Sequence, residues 1–571
     1  MSDSSSNPRA NPSSGPARRP PGQGRHAKRT DGIGRASLIM ASGTLTSRVL
    51  GMIRGVLLAA VMGVGLTAST FNVANTLPNN IYQLIAGGIL GAVLVPQIAK
   101  AASHDDGGDD FVNRLLTLAI TLMAFATLVA TLAAPLLVRL YADHKWGPTD
   151  FALSTTFALI CLPQIFFYGL TALLGQVLNA RGRFAAYMWA PVLANIIAIG
   201  GILAFMARGL PREAPTNAWT PEMIWLIAGT TTLGIAVQGL FLFIPLHLSG
   251  FRYRPTWGFR GVGLGSASKV AGWTFAALVV SQLGFIVTSR VLTHADKLAE
   301  VLGIQAAGNA AYSYAFLLFM LPHSMVTISL VTALFTRLSY AAHEGRTEQV
   351  LADFHRGLRS VAVFLIPMSL GGVLLAPLIT RALFFGNGLE ATNAIARIMA
   401  VMLLGLIPYG WVYLVQRMFY VYEDAKTPFW MALVITGVAT VVNLVSYALP
   451  PAWVGVGVGL GQTVSNVLGA GVGIILLRRR LGPLHLGPTV QQHLRLVTAT
   501  ALGLVGAALV VLGLRAVLGE SRTATLVTVV ISGIVLLALT LIGAARLQVR
   551  EVRDALRPIA ARLPGGRTSP R

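Results

Sequence analysis

Two arginines six residues apart, Arg48 and Arg54, stand in the apolar segment TSRVLGMIRG, and four amides follow at Asn72, Asn75, Asn79 and Gln83. A guanidinium presents a planar fork of N–H donors that suits phosphate or carboxylate, and an amide donates and accepts without carrying charge. Together they are equipment for holding an anion without bonding to it covalently. At about 100° per residue, Asn72, Asn79 and Gln83 fall within about 40° of one another on a helix, with Thr76 on the same arc and Asn75 beside it. Pro78 interrupts this stripe, removes a backbone hydrogen bond and is expected to bend the helix.

The depth of these groups decides their meaning. Counted from about Ile33 at about 1.5 Å per residue, Arg48 lies well inside hydrocarbon. A charge there costs about 2.5–3.5 kcal/mol on insertion scales, so it normally faces a cavity. The plainer reading is that the span starts late and Arg48 snorkels to the surface. Six residues place Arg48 and Arg54 about 120° apart, and Gly51 between them is a place where the helix could break and let them converge. The amides also have two readings: glue between helices, or the wall of a wet cavity. A stripe over three turns favours the cavity, because unpaired amides are costly in lipid. None of the 21 Asp and Glu falls well inside an expected span; they sit in loops, in tails and, at Glu222, on a span's first residue. Carboxylates at depth are the usual proton or cation relays. Their absence, beside two buried cations, favours an anionic substrate.

The elements that position these groups follow from composition. The 571 residues are 54% hydrophobic and 11% charged, with mean hydropathy +0.68; a soluble chain carries about 25% charged residues. Charges cluster between long apolar runs, which predicts an all-α polytopic membrane protein. Fourteen spans are expected, at roughly 36–63, 68–98, 113–141, 151–179, 185–207, 222–248, 267–294, 306–335, 354–384, 393–420, 428–449, 453–477, 493–518 and 523–545. With the N-terminus in the cytoplasm, 32 of the 44 Lys and Arg fall on the cytoplasmic side, 10 on the external side and two, Arg48 and Arg54, within span 1. That bias predicts both termini inside. The net charge of +23 therefore belongs with anionic lipid headgroups rather than nucleic acid. Residues 1–35 read as a disordered basic tail, residues 547–571 as a second basic tail, and no signal peptide is expected before span 1. The single cysteine, Cys161, excludes an intrachain disulfide and a cysteine-built metal site.

The chain repeats itself. Leu77-Pro78 matches Leu321-Pro322 at an offset of 244, Ala101-Ala102 matches Ala341-Ala342 at 240, Ala134-Pro135-Arg139 matches Ala376-Pro377-Arg381 at 242, and Pro163 matches Pro408 at 245. The repeat is six spans long, so both halves share one orientation. This predicts two pseudo-symmetric six-helix lobes, at 36–250 and 264–480, with two further helices at 490–546. In such transporters the substrate site lies between the lobes. His323, beside the second-lobe proline, is expected to be a packing residue. The glycines of GVGVGLGQ, Gly455 to Gly461, lack nucleotide-loop spacing and fit close helix packing. No HExxH, GxSxG or paired-carboxylate arrangement occurs in a plausible context, so no enzyme, metal or cofactor is expected.

These residues resemble the MurJ/MviN lipid II flippase family, within the superfamily of drug and lipid-linked oligosaccharide exporters. The likeness rests on TSRVLGMIRG, on NVANTLPNNIYQLIAGGILGAVLVPQIAKA and on FYVYEDAKTP (Phe419 to Pro428), and extends in helix order over roughly 35–550. The resemblance implies fourteen helices, a central cavity and a groove for a polyprenyl tail between the last two helices. It implies alternating access that moves lipid II, an undecaprenyl-diphosphate-linked glycopeptide, from the inner to the outer leaflet, with Arg48 and Arg54 meeting the diphosphate. Many members carry further charges where this chain has Tyr82, Gln83 and Gly87, and an acidic–Arg pair where it has Phe316 and Leu317. Its cavity is therefore expected to be less cationic and more amide-lined. Two alternatives remain: an exporter of another lipid-linked oligosaccharide, and a transport-inactive scaffold for cell-wall synthesis proteins. A small multidrug exporter is disfavoured, since no buried carboxylate is expected for a cation.

Overall fold

The computed structural model describes residues 23–87, 109–257 and 269–554, and among them the regular structure is helical. The long elements are α1 (Gln23–Met62), α2 (Leu66–Ile85), α3 (Asp109–Leu132), α4 (Ala134–Tyr141), α5 (Pro148–Cys161), α6 (Gln164–Ala180), α7 (Phe184–Ala207) and α8 (Thr230–Phe241) in the first half. The second half carries α9 (Lys269–Leu302), α10 (Asn309–Pro322), α11 (Ser329–His343), α12 (Thr347–Leu383), α13 (Leu389–Leu404), α14 (Leu406–Val421), α15 (Lys426–Val445) and α16 (Pro451–Leu481). The chain closes with α17 (Gly487–Leu518) and α18 (Arg522–Arg546).

Twelve helices among the described residues are long and apolar enough to cross a membrane, or thirteen when α13 and α14, bent by 48°, are taken as one span. The second expected span, 68–98, is described only to residue 87, as α2 and the turn after it. The match at Ala101-Ala102 also lies outside the described residues. The proline matches have structural counterparts. Helix breaks fall beside Pro163, between α5 and α6, and beside Pro408, at Gly405 between α13 and α14.

Two local expectations change. Helix α1 begins at Gln23 rather than near residue 36, just after Pro20 and Pro21. It also runs unbroken through Gly51, so Arg48 and Arg54 do not converge. Helix α2 carries Pro78 inside a single element.

Between helices in lipid the hydrophobic effect supplies little, so association depends on close packing and hydrogen bonds. The glycine run in α16 works in this way. Gly459 packs on Ile398 of α13, and Gly461 packs on Asn443 of α15. On α1, Gly43 lies against Trp189 and Gly51 against Asn195, both on α7. The Asn195 amide donates to the Ser47 carbonyl at 3.1 Å. Helices α17 and α18 pack on each other and on α12, with Gly371 against Leu536.

Candidate functional site between the lobes

The buried face of α2 fixes the direction of its amides. Phe71, Val73, Ala74 and Leu77 are buried, and the Phe71 ring meets Phe157 of α5 edge-on at 5.3 Å. Tyr82 also turns inward, 5.7 Å from the Tyr168 ring of α6. The other face meets the second lobe at both ends. Near its start, the Ser69 hydroxyl accepts from the Ala310 N–H of α10 at 3.2 Å. At the far end, Gly87 stands so close to Leu278 of α9 that a Cβ would collide with it. At about 100° per residue, Ser69, Asn72, Thr76, Asn79, Gln83 and Gly87 fall within about 80° of one another. The amide stripe thus lies between two points of contact with the second lobe.

Asn72 and Asn75 are half-buried, whereas Asn79 and Gln83 are exposed. Among the described residues none of these four side chains has a hydrogen-bond partner. Thr76 is different, because its hydroxyl is spent on the Asn72 and Val73 carbonyls of its own helix, each at 3.0 Å. Amides acting as helix glue would be bonded across the interface. These are open.

The two arginines of α1 point to different lobes. Gly55 lies about 20° from Arg48 around the helix, and a Cβ on Gly55 would come 2.8 Å from Leu317 of α10. Arg48 is accordingly on the second-lobe face, within electrostatic reach of His323. Arg54 faces its own lobe, within electrostatic reach of Tyr168. The Tyr168 hydroxyl donates to Gln164 at 3.4 Å, and Gln164 donates to Thr232 at 2.8 Å. Both guanidiniums are half-buried and neither has an ion-pair partner among the described residues.

His323 is more than a satisfied packing residue. It opens a π-helical turn, His323–Ile328, directly after Pro322. Its ring is 4.3 Å from Tyr409 and 5.5 Å from Tyr413, and its buried Nδ1 has no hydrogen-bond partner. Sequence reasoning passed over it, although its place opposite Asn79 in the repeat was the signal.

At one end of this seam the lobes are bonded together. Tyr141 O accepts from Ser289, the Asp143 N–H donates to Thr293 at 2.9 Å, and Asn387 donates to the Ala59 carbonyl at 2.8 Å. Asp150 Oδ2 pairs with Lys297 at 2.9 Å, and Asp143 Oδ1 lies 3.4 Å from His294. This sealed end is the one that the division of basic residues predicts to be external. It also corrects the expectation that carboxylates stay out of the packed chain. Asp143, Asp150, Asp296 and Asp353 are all buried. Asp296 sits within α9, which runs eight residues past the expected span, and accepts from the Asn309 N–H at 2.9 Å. These carboxylates occupy helix ends and loops, where ion pairs and N–H groups hold them.

Two positions where the resemblance predicts missing charges have acquired a different role. Gly87 and Leu317 are apolar inter-lobe contacts, against Leu278 and Gly55. The FYVYEDAKTP motif starts a helix: Asp424 accepts from the Thr427 N–H at 3.0 Å and pairs with Arg480 at 2.8 Å. Cys161 is free and buried. Among the described residues no cluster of His, Cys, Asp and Glu is arranged to hold a metal ion.

Comparison with known proteins places this geometry. The sequence profile of the family described as "Lipid II flippase MurJ" matches residues 58–542. The lipid II flippase MurJ of Burkholderia cenocepacia is 28% identical over 493 residues, covering 84% of this chain and 89% of that protein. The probable lipid II flippase MurJ of Rhizobium tropici is 26% identical over 454 residues, covering 78% and 80%. Among solved structures, a lipid II flippase MurJ in an inward closed conformation aligns with TM-score 0.68 at 18% identity, covering 91% of this chain and 100% of that one. An inward-facing MATE multidrug transporter aligns with TM-score 0.61 at 16% identity, covering 78% and 98%. Likenesses at such identity speak for the fold alone: all-helical, with many helices able to span a membrane.

Proposed function

Because the chain belongs to the lipid II flippase MurJ family, we propose that it moves lipid II from the inner to the outer leaflet of a bacterial cell membrane by alternating access. The observation that carries this reading is Arg48 on the inter-lobe face, without an ion-pair partner among the described residues and beside a stripe of amides that likewise have no partner there. Both termini are cytoplasmic on this reading, and the sealed end is external.

The diphosphate of the substrate enters from the end of the seam opposite the sealed one and meets Arg48. The planar fork gives paired, charge-assisted bonds to phosphate oxygens, which lysine reproduces poorly. Crossing about 30 Å of hydrocarbon requires a substitute for the hydration shell. Asn72, Asn75, Asn79 and Gln83 supply it as neutral donors, which bind without trapping the anion. Arg54, within electrostatic reach of Tyr168, sets the positive potential from the first-lobe side. The lobes, 36–250 and 264–480, then rock against each other. The bonds of the sealed end break and the path reopens outward, while the polyprenyl tail stays in lipid along α17 and α18. No covalent step occurs, so no catalytic group or cofactor is needed. The positive charge of the two terminal segments favours anionic headgroups and acidic partners among cell-wall synthesis proteins.

Complementation of a strain depleted of its own flippase, scored by lipid II accumulation, tests this directly. Growth with normal lipid II levels is the expected result. One observation favours a second reading, a transport-inactive scaffold: Gly87 and Leu317 have become apolar inter-lobe contacts. Failure to complement despite normal membrane insertion would select that reading. Accumulation of a different lipid-linked glycan would select an exporter of that glycan.

A further inference from the structure

A further cation without an ion-pair partner among the described residues lies away from Arg48 and Arg54. Arg397 stands on α13 eight residues after Leu389, so at about 1.5 Å per residue it is about 12 Å below the sealed-end start of that helix. Its number places it inside the expected span 393–420. Its guanidinium lies over the Trp453 ring, 4.7 Å from the centroid. Its Nε is buried and has no hydrogen-bond partner, and no carboxylate pairs with it among the described residues. Stacking on an aromatic face attracts the charge but offers the N–H groups no acceptor.

Arg397 lines a cavity of about 630 Å³ in the second lobe. Towards the sealed end the cavity is polar, with Gln305, Glu390 and Asn393; deeper it is apolar, with Val373, Ala376 and Ala400. This gradient matches a lipid headgroup with the first part of its chains beneath it. A second cavity, of about 470 Å³, lies between the lobes and shares Ile304, Gln305 and Glu390 with the first. The Arg397 cavity therefore adjoins the seam. A phosphate leaving between the lobes at this end meets it without first crossing open lipid.

We propose that the Arg397 cavity is a phosphate site, separate from the inter-lobe path, that takes a lipid-borne phosphate at the sealed end. Its Nη groups grip the phosphate oxygens, Trp453 backs the guanidinium, and the apolar floor receives the chain. Two sources share this chemistry: a resident phospholipid of that leaflet, or the diphosphate of a delivered polyprenyl lipid. The second rests on the proposed transport function; the first does not.

The test is native mass spectrometry of the full-length protein with phosphatidylglycerol and, separately, with undecaprenyl diphosphate. Wild type, Arg397→Met, Arg397→Lys and Arg48→Met are compared. Loss of a charge-assisted phosphate contact should lower retention in Arg397→Met about tenfold. Arg397→Lys should fall between, because it keeps the charge and loses the fork. A loss confined to phosphatidylglycerol identifies a resident lipid; a loss confined to undecaprenyl diphosphate identifies an exit station. Arg48→Met should keep phosphatidylglycerol at the wild-type level, so this arm stands even if the transport reading fails. Should Arg397→Met fold poorly by thermal unfolding, Arg397→Lys decides. Wild-type retention of both lipids in a folded variant overturns the proposal.

Discussion

The sealed end and the middle of the same seam treat polar groups in opposite ways. At the sealed end they are paired across the lobes: Asp150 with Lys297, Asp143 with Thr293, Ser289 with Tyr141, Ser69 with Ala310. In the middle, Arg48, Asn79 and Gln83 have no partner among the described residues. Both regions are rich in hydrogen-bonding groups, yet only at the sealed end do they bond across the lobes, even though Asp143 Oδ2, Asp296 Oδ1 and Asn387 Oδ1 keep no partner there among the described residues. On the proposed function, the bonded region holds a conformation and the unbonded one meets the substrate. Polar groups in a membrane protein therefore need to be sorted by partner before they are sorted by type.

The largest expected effect separates two arginines. Arg48→Ala should abolish complementation of a flippase-depleted strain. Arg139→Ala, whose side chain is exposed and lies over the Phe151 ring at 5.0 Å, should be tolerated. Equal activity of the two variants at equal expression would erase the distinction between the regions.

Next comes the amide stripe. Asn79→Leu with Gln83→Leu should slow flipping while leaving expression and thermal unfolding near wild type, because no internal hydrogen bond is lost. A large drop in stability would mean that these amides are glue after all.

The opposite behaviour is expected at the sealed end. Lys297→Gln leaves buried Asp150 with a weakened partner and should cost about 1–3 kcal/mol of the sealed state. Opening at that end should rise, read as faster labelling of a cysteine placed at Ala310, with the fold retained. Unchanged labelling would mean that the ion pair does not hold the seal. The smallest perturbation tests orientation alone: reporter fusions after Asp150 and after Glu520 should both read as external. An internal signal at Asp150 would reverse the assignment of the sealed end.

Much of this was legible in the sequence because membrane depth exposes it. Long apolar runs fix the spans, and the proline matches at Pro78/Pro322 and Pro163/Pro408 fix the two-lobe plan. The amide stripe was legible for the same reason, since helical spacing alone puts Asn72, Asn79 and Gln83 on one side. What escaped depends on partners distant in the chain. That Gly51 does not break α1 follows from its packing on Asn195, and nothing local announces it. The burial of Asp296 depends on an N–H group of Asn309 across a turn. His323 reads as an ordinary histidine until Tyr409, Tyr413 and Arg48 are brought around it. Arg397, inside an expected span, becomes unusual only when a cavity is found beside it.

The measurement closest to the central claim uses the scarcity of cysteine. With Cys161 replaced by serine, Asn79→Cys places a single thiol on the amide stripe. Labelling by a membrane-impermeant maleimide is followed in inverted vesicles, with and without undecaprenyl-diphosphate-linked substrate. If the unpaired region is a wet path for a lipid-linked diphosphate, the thiol reacts from the cytoplasmic face and substrate slows the reaction. No labelling, or labelling at a rate that substrate leaves unchanged, would contradict it.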